Sequence, residues 1–256
     1  MKHLKNTLLA ILLISFLGCK NEKKNTDLSN NNKTNVVEES VKVIPIIHGT
    51  FLLELKNEVI YIDPTGGSKA FVGQKPPTLV LITDIHGDHL SISTLEALDL
   101  ANATVVGPKA VTDKIPSSIS KNIVTLNNDE KLSHNDVNIA AIPMYNLRKE
   151  ALKFHPKGRG NGYVLTINDE RIYISGDTED IPEMRNLKAI DKAFICMNLP
   201  YTMPVESAAD AVLDFKPKTV YPYHYRGTDG LSDVSLFKKI VNDTNKSIEV
   251  KLLDWY

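Results

Sequence analysis

From residue 41 onward the chain alternates short apolar runs with polar turns. Val43–Ile47, Phe51–Leu55 and Val59–Asp63 are rich in β-branched and apolar residues and predict three strands, with Lys56-Asn57 as a tight turn between the last two. Leu79–Thr83, after Pro76-Pro77, is a continuous apolar run suited to a strand covered on both faces. Ser91–Leu100 predicts a helix, capped by Ser91 or Ser93, with Leu95, Leu98 and Leu100 on its apolar face. Thr104–Gly107 and Ile123–Leu126 read as further strands. The second half repeats the style. Strands are predicted at Val137–Pro143, Gly162–Ile167, Arg171–Ser175, Phe194–Met197, Thr219–Pro222 and Ser247–Leu253, with a hairpin at Asn168-Asp169. Helices are predicted at Val205–Phe215 and Asp233–Val241. Two halves, each β-rich first and helical later, give an α+β fold of two sheets sandwiched between helices.

The first forty residues follow another pattern. Lys2, His3 and Lys5 precede an apolar run, Leu8–Leu17, too short for a membrane helix, which needs about 20 residues. It suits a secretory signal. Gly18-Cys19 resembles the acylation site of bacterial lipoproteins. That resemblance implies a signal peptide over 1–18, a lipidated Cys19, and a membrane-anchored protein in the bacterial cell envelope, outside the cytoplasm. Residues 19–40 then form the lipidated cysteine and a polar tether, too poor in apolar side chains to offset its ordering entropy. The folded domain is expected over 41–256.

Composition narrows the classes. The 256 residues carry 30 Lys+Arg against 31 Asp+Glu, with 42% hydrophobic and 24% charged residues, values of an ordinary globular protein. A net charge of −1 argues against nucleic acid as a partner. There are 2 cysteines. With Cys19 lipidated, Cys196 stands alone in an apolar run and reads as a buried thiol.

The chemistry concentrates in Thr83-Asp84-Ile85-His86-Gly87-Asp88-His89. Asp84, His86, Asp88 and His89 are carboxylates and imidazoles, the ligand types of Zn²⁺ and its first-row neighbours. They lie on a loop between a buried strand and a helix, and two ligand sets in one loop suggest two metals. The segment resembles the His-x-His-x-Asp-His signature of the metallo-β-lactamase superfamily. Ser175-Gly176-Asp177-Thr178, Tyr223-His224-Tyr225 and Phe154-His155-Pro156-Lys157-Gly158 resemble its Gly-Asp motif, late histidine and middle histidine. Ile47–Phe51 and Ile62-Asp63-Pro64 resemble the branch that includes ascorbate-6-phosphate lactonase.

The resemblance implies a four-layer αββα sandwich and a metal-dependent hydrolase. It implies two divalent ions, zinc foremost and Mn²⁺ or Fe²⁺ as alternatives. One ion would be held by Asp84, His86 and His155, the other by Asp88, His89 and His224, with Asp177 bridging. Asp88 and Asp177 are the expected catalytic carboxylates, and a bridging hydroxide the nucleophile. Asp84 departs from the signature, which has histidine there. Three carboxylates would make the centre less positive and favour harder metals.

Lys157, Arg159, Tyr201 and Arg226 are candidate substrate contacts, the cations favouring an anionic small molecule. His48 suits either a structural or a ligand-orienting role, and His134 an exposed turn. The function expected is hydrolysis of a small ester, lactone or amide. The alternatives are a small-molecule phosphodiesterase and a non-catalytic metal- or ligand-binding lipoprotein.

Overall fold

A computed structural model describes residues 41–256, so the signal peptide, Cys19 and the tether lie outside the described residues. The first sheet contains β1 (Lys42–Ile47), β2 (Thr50–Glu54), β3 (Val59–Ile62), β4 (Leu79–Leu81), β5 (Thr104–Gly107) and β6 (Asn122–Thr125), in that spatial order. The second contains β7 (Lys131–His134), β8 (Val137–Met144), β9 (Gly160–Ile167), β10 (Glu170–Ile174), β11 (Lys192–Ile195), β12 (Thr219–Pro222) and, after a small hairpin of β13 (Arg226–Gly227) and β14 (Gly230–Leu231), β15 (Glu249–Val250). Its order is β15-β12-β11-β10-β9-β8-β7.

The apolar faces explain the layering. In β4, Leu79 and Leu81 join the core shared by the two sheets, whereas Val80 and the following Ile82 face the helices α1 (Ile92–Ala97) and α2 (Lys109–Thr112). A strand covered on both sides must be apolar at every position, which is what the sequence shows there. On the far side, α3 (Pro182–Arg185), α4 (Val205–Phe215) and α5 (Val234–Thr244) cover the second sheet through Met184, Ala208, Val212, Phe237 and Val241. The result is the expected helix–sheet–sheet–helix order.

Several elements differ from the sequence expectation. The helix predicted over Ser91–Leu100 stops at Ala97, because Leu98 turns extended (φ −96°, ψ 150°). Its cap is Ser91, whose side chain accepts from the Thr94 amide. The last strand is only Glu249–Val250. α2, α3, β7 and the β13–β14 hairpin escape sequence reading because each is too short to show a period. His134 ends β7 rather than sitting in an exposed turn, and its ring lies 3.9 Å from the buried Glu58 carboxylate.

The site follows from strand direction. β3 and β4 run parallel, as do β10, β11 and β12. The residues just beyond their carboxyl ends, Asp63, Asp84, Asp177, Asn198 and His224, gather at one edge of both sheets, where ligand sites of such sheets form.

Candidate metal centre

Asp177 lies at the middle. Its Oδ2 is 3.3 Å from Nε2 of both His155 and His89, and its Oδ1 is 3.5 Å from Nε2 of His224. On one side, Asp84 Oδ2 is 2.8 Å from His86 Nδ1 and 3.9 Å from His155 Nε2. On the other, Asp88 Oδ2 is 3.4 Å from His224 Nε2, and Oδ1 is 3.9 Å from His89 Nε2. Three ligand-sized clusters result: Asp84/His86/His155, His89/Asp177/His224 and His48/Asp88/His224. All seven predicted ligands come together in this place.

The backbone is bent to bring them there. His224, Asp63 and His48 have left-handed backbone, with φ of 47°, 44° and 56°. Such conformations cost energy in non-glycine residues and cluster at functional sites. Gly176, at φ 61°, passes so close to Met144 that a Cβ would lie 2.5 Å from Sδ, so the turn that presents Asp177 requires glycine.

Hydrogen bonds aim the rings. His89 Nδ1 is 2.8 Å from Asp63 Oδ2, and His155 Nδ1 is 3.1 Å from the Tyr201 carbonyl. With Nδ1 donating in each, Nε2 is the lone-pair nitrogen facing Asp177. Nε2 of His89, His155 and His224 and Oδ1 of Asp177 are all buried, and none has a hydrogen-bond partner. Buried polar atoms are normally satisfied. Four orphans flanking Asp177 on its two sides, among carboxylates, are atoms of the kind that divalent cations bind. The residues present therefore fit metal ions.

The electrostatics agree. Burial disfavours the Asp177 carboxylate, but His224, His89 and His155 outweigh it and hold the group well below the usual range. Burial likewise opposes a charged His89, yet Asp177 and Asp63 raise it well above an ordinary imidazole. The carboxylates draw positive charge into the site, as a proton or, in its place, a metal ion.

A cavity of about 290 Å³ opens onto the cluster, lined by His86, Asp88, Phe154, His155, Asp177, Asn198 and Tyr201. Of the four predicted substrate contacts, Tyr201 alone lines it. Lys157 instead binds Glu183 at 2.7 Å, Arg159 grips Asp84 through Nε and Nη2 at 3.0 and 2.9 Å, and Arg226 lies over the Tyr256 ring at 4.2 Å. Each cation satisfies a nearby partner, which removes it from the cavity wall.

Three contributors have no role assigned by the sequence pattern. Asp63 orients His89, and its place at a strand end before a proline was the available signal. Asn198 follows β11, and Tyr256 reaches His48 Nδ1 at 2.8 Å; neither sits in a recognisable motif.

Residues 46–224 match the family described as a Beta-lactamase superfamily domain. The chain belongs to the metallo-β-lactamase superfamily. A metal-dependent hydrolase of Pyrococcus abyssi is 29% identical over 222 residues, covering 82% of this chain and 96% of its own. One from Pelotomaculum thermopropionicum is 30% identical over 224 residues, covering 83% and 96%. A solved structure from Parabacteroides distasonis, assigned as a metal-dependent hydrolase, aligns with a TM-score of 0.75 at 35% identity, over 84% of this chain and 94% of that one. The metallo hydrolase Igni18 of Ignicoccus hospitalis shares the fold, with a TM-score of 0.69 at 22% identity over 84% and 95% of the two chains. With these relatives, the superfamily member described here is a metal-dependent hydrolase.

Proposed function

We propose that the protein is a dinuclear metallohydrolase of small, uncharged esters, lactones or amides. The observation that carries this reading is the Asp177 carboxylate, which faces His155 on one side and His89 and His224 on the other. Asp84, His86 and His155 would hold one cation, and Asp88, which lies 3.9 Å from His89 and 3.4 Å from His224, would hold the other with those two rings, with Asp177 shared. Zinc suits this donor set best, and Mn²⁺ or Fe²⁺ fit the same groups. When bound, the ions supply a nucleophile from water at neutral pH and Lewis-acid polarisation of the scissile bond.

The chain's own residues do the rest. The Asn198 carboxamide oxygen accepts from Thr202 Oγ1, leaving Nδ2 as a hydrogen-bond donor of a cavity-lining residue. It is placed to bind a substrate carbonyl oxygen. Phe154 and Tyr201 meet edge to face at 5.1 Å and form an apolar wall. Asp88 is the half-exposed carboxylate of the centre, and its Oδ2 lies 3.3 Å from His48 Nε2. That pair is positioned to hold a proton near the leaving group.

The likeness to the lactonase branch favours a cyclic ester. The pairing of Lys157, Arg159 and Arg226 elsewhere weighs against an anionic group on it. The proposal also puts the protein on a lipid anchor at Cys19 in the bacterial envelope, supported by Gly18-Cys19 after the basic and apolar segments.

The test is elemental analysis of the full chain purified without added metal, alongside a panel of small esters, lactones and amides. Near two divalent ions per chain, and hydrolysis abolished by chelator and restored by metal, are expected. Hydrolysis indifferent to chelator, or one ion or none per chain after reconstitution, would refute the reading. Incorporation of labelled fatty acid, lost in Cys19→Ala, tests the anchor.

A further inference from the structure

The departure at Asp84 raises a charge problem that the fold answers. Where the superfamily signature has a neutral imidazole, this chain has a carboxylate, and Asp84 is wholly buried. A buried, uncompensated carboxylate is costly. Arg159 meets it with a two-pronged grip, Nε donating to Oδ1 at 3.0 Å and Nη2 to Oδ2 at 2.9 Å. Nη2 donates its second proton to the Phe154 carbonyl, so the guanidinium plane is fixed at three points.

The approach of the two segments is built into the backbone. The Asn161 amide donates to the Thr83 carbonyl at 2.9 Å, one residue before Asp84. At Gly160 a Cβ would come within 2.9 Å of that same carbonyl oxygen and 2.2 Å of the Met144 methyl. Glycine there lets the start of β9, one residue after Arg159, lie against the chain that leaves β4 toward Asp84.

We propose that the Asp84–Arg159 pair stands in for a neutral imidazole ligand, with Arg159 as the positioning residue that holds Asp84 for a cation and cancels its charge. The inference rests on the dinuclear reading above. A carboxylate has about four lone-pair sites, and Arg159 occupies one on each oxygen. Oδ2 turns its other one toward His86 Nδ1 and His155 Nε2, 2.8 and 3.9 Å away, the two rings that would share the ion with it. Arginine stays charged at every working pH, so the pair sums to zero, as an imidazole does. The less positive centre and the harder metals expected from three carboxylates therefore do not follow, since Arg159 returns the missing charge.

Neither residue is then exchangeable alone. Asp84→His would set a neutral ring against an unpaired guanidinium beside the cation, whereas Asp84→His with Arg159→Met would restore the superfamily arrangement.

The experiment is a chelator-competition titration of Zn²⁺ into the metal-stripped full chain. The native protein is expected to take up two equivalents. Asp84→His should weaken one of them at least tenfold, as loss of a ligand-orienting partner typically does. Asp84→His/Arg159→Met should return it to within roughly threefold of native, a coupling expected of residues in direct contact. Arg159→Met alone should melt at lower temperature than native without zinc and regain most of the loss with zinc, because the ion neutralises the otherwise uncompensated buried charge of Asp84.

A double variant no better than Asp84→His overturns the proposal, as does an Asp84→His protein that binds both ions like native. So does an Arg159→Met deficit of equal size with and without zinc, the result of a merely structural role. A native chain that binds one equivalent or none overturns the dinuclear reading itself and the proposal with it. Should Asp84→His not fold, the zinc dependence of Arg159→Met melting still decides.

Discussion

Asp63 Oδ2 lies 2.8 Å from Nδ1 of His89, and neither side chain reaches solvent. Asp63 also accepts from the Thr83 amide at 2.7 Å and the Thr83 hydroxyl at 2.6 Å, so its carboxylate is held rigidly. The proton on His89 Nδ1 is thereby assigned, and Nε2 is left to face Asp177.

Asp63→Asn keeps the shape but replaces an acceptor by a donor. One of Thr83 or His89 must then face an N–H with another. Zinc affinity is expected to fall about 10–100-fold, with a stability loss of about 1–3 kcal/mol from the mismatched buried group. Zinc titration and thermal unfolding measure both, and unchanged affinity would contradict the orienting role.

Gly49→Ala tests the packing of His224. A Cβ at this position would lie 2.6 Å from His224 Cδ2, inside van der Waals contact. The ring already stacks on His89, with centroids 4.8 Å apart, and has the tilted ring of His48 at 3.9 Å. Elemental analysis of the folded variant is expected to show about one ion fewer per chain than the native protein. Native metal content would show that the ring accommodates the methyl.

Tyr256→Phe separates orientation from metal binding. The Tyr256 hydroxyl oxygen accepts from the amides of Tyr225 and Arg226 at 3.0 and 3.1 Å, which uses its lone pairs. Its single proton is therefore directed to His48 Nδ1, 2.8 Å away, and His48 Nε2–H faces Asp88 Oδ2. The variant should retain its metal and lose hydrolytic turnover by about tenfold. Loss of metal in parallel with activity would place His48 among the ligands instead.

Cys196 should be inert. It is fully buried, and burial pushes its thiol up to about 12. At pH 8 the thiolate is negligible and the sulfur is out of reach of solvent. No labelling of Cys196 by a thiol reagent is expected in the native state, and complete labelling of it after unfolding. Native-state labelling at the rate of a free thiol would show that the core around β11 opens.

The strands and the long helices were readable along the chain because burial on one or both faces leaves a local pattern. Leu79–Leu81 shows it in continuous form, and Val205–Phe215 in helical form with the predicted bounds. The pattern fails for elements of two to four residues, such as α2 and the β13–β14 hairpin. It also misplaced the end of α1, where Leu98 leaves the helix while keeping its apolar contact with the outer core.

The sequence by itself determined which carboxylates and imidazoles are the candidate ligands. Asp84, His86, Asp88 and His89 share one short loop at a strand end, and chain connectivity alone holds such residues together. It likewise marked Asp177 and His224 as residues that follow strands. Only the tertiary structure decided what each group is free to do. Lys157, Arg159 and Arg226 are cations of equal promise on paper, yet Glu183, Asp84 and Tyr256 claim them in space. The Asp84–Arg159 contact joins residues 75 positions apart, and the Tyr256–His48 contact residues 208 apart. Such pairings are made by the stacking of two sheets, and no local periodicity records which side chains that stacking brings face to face.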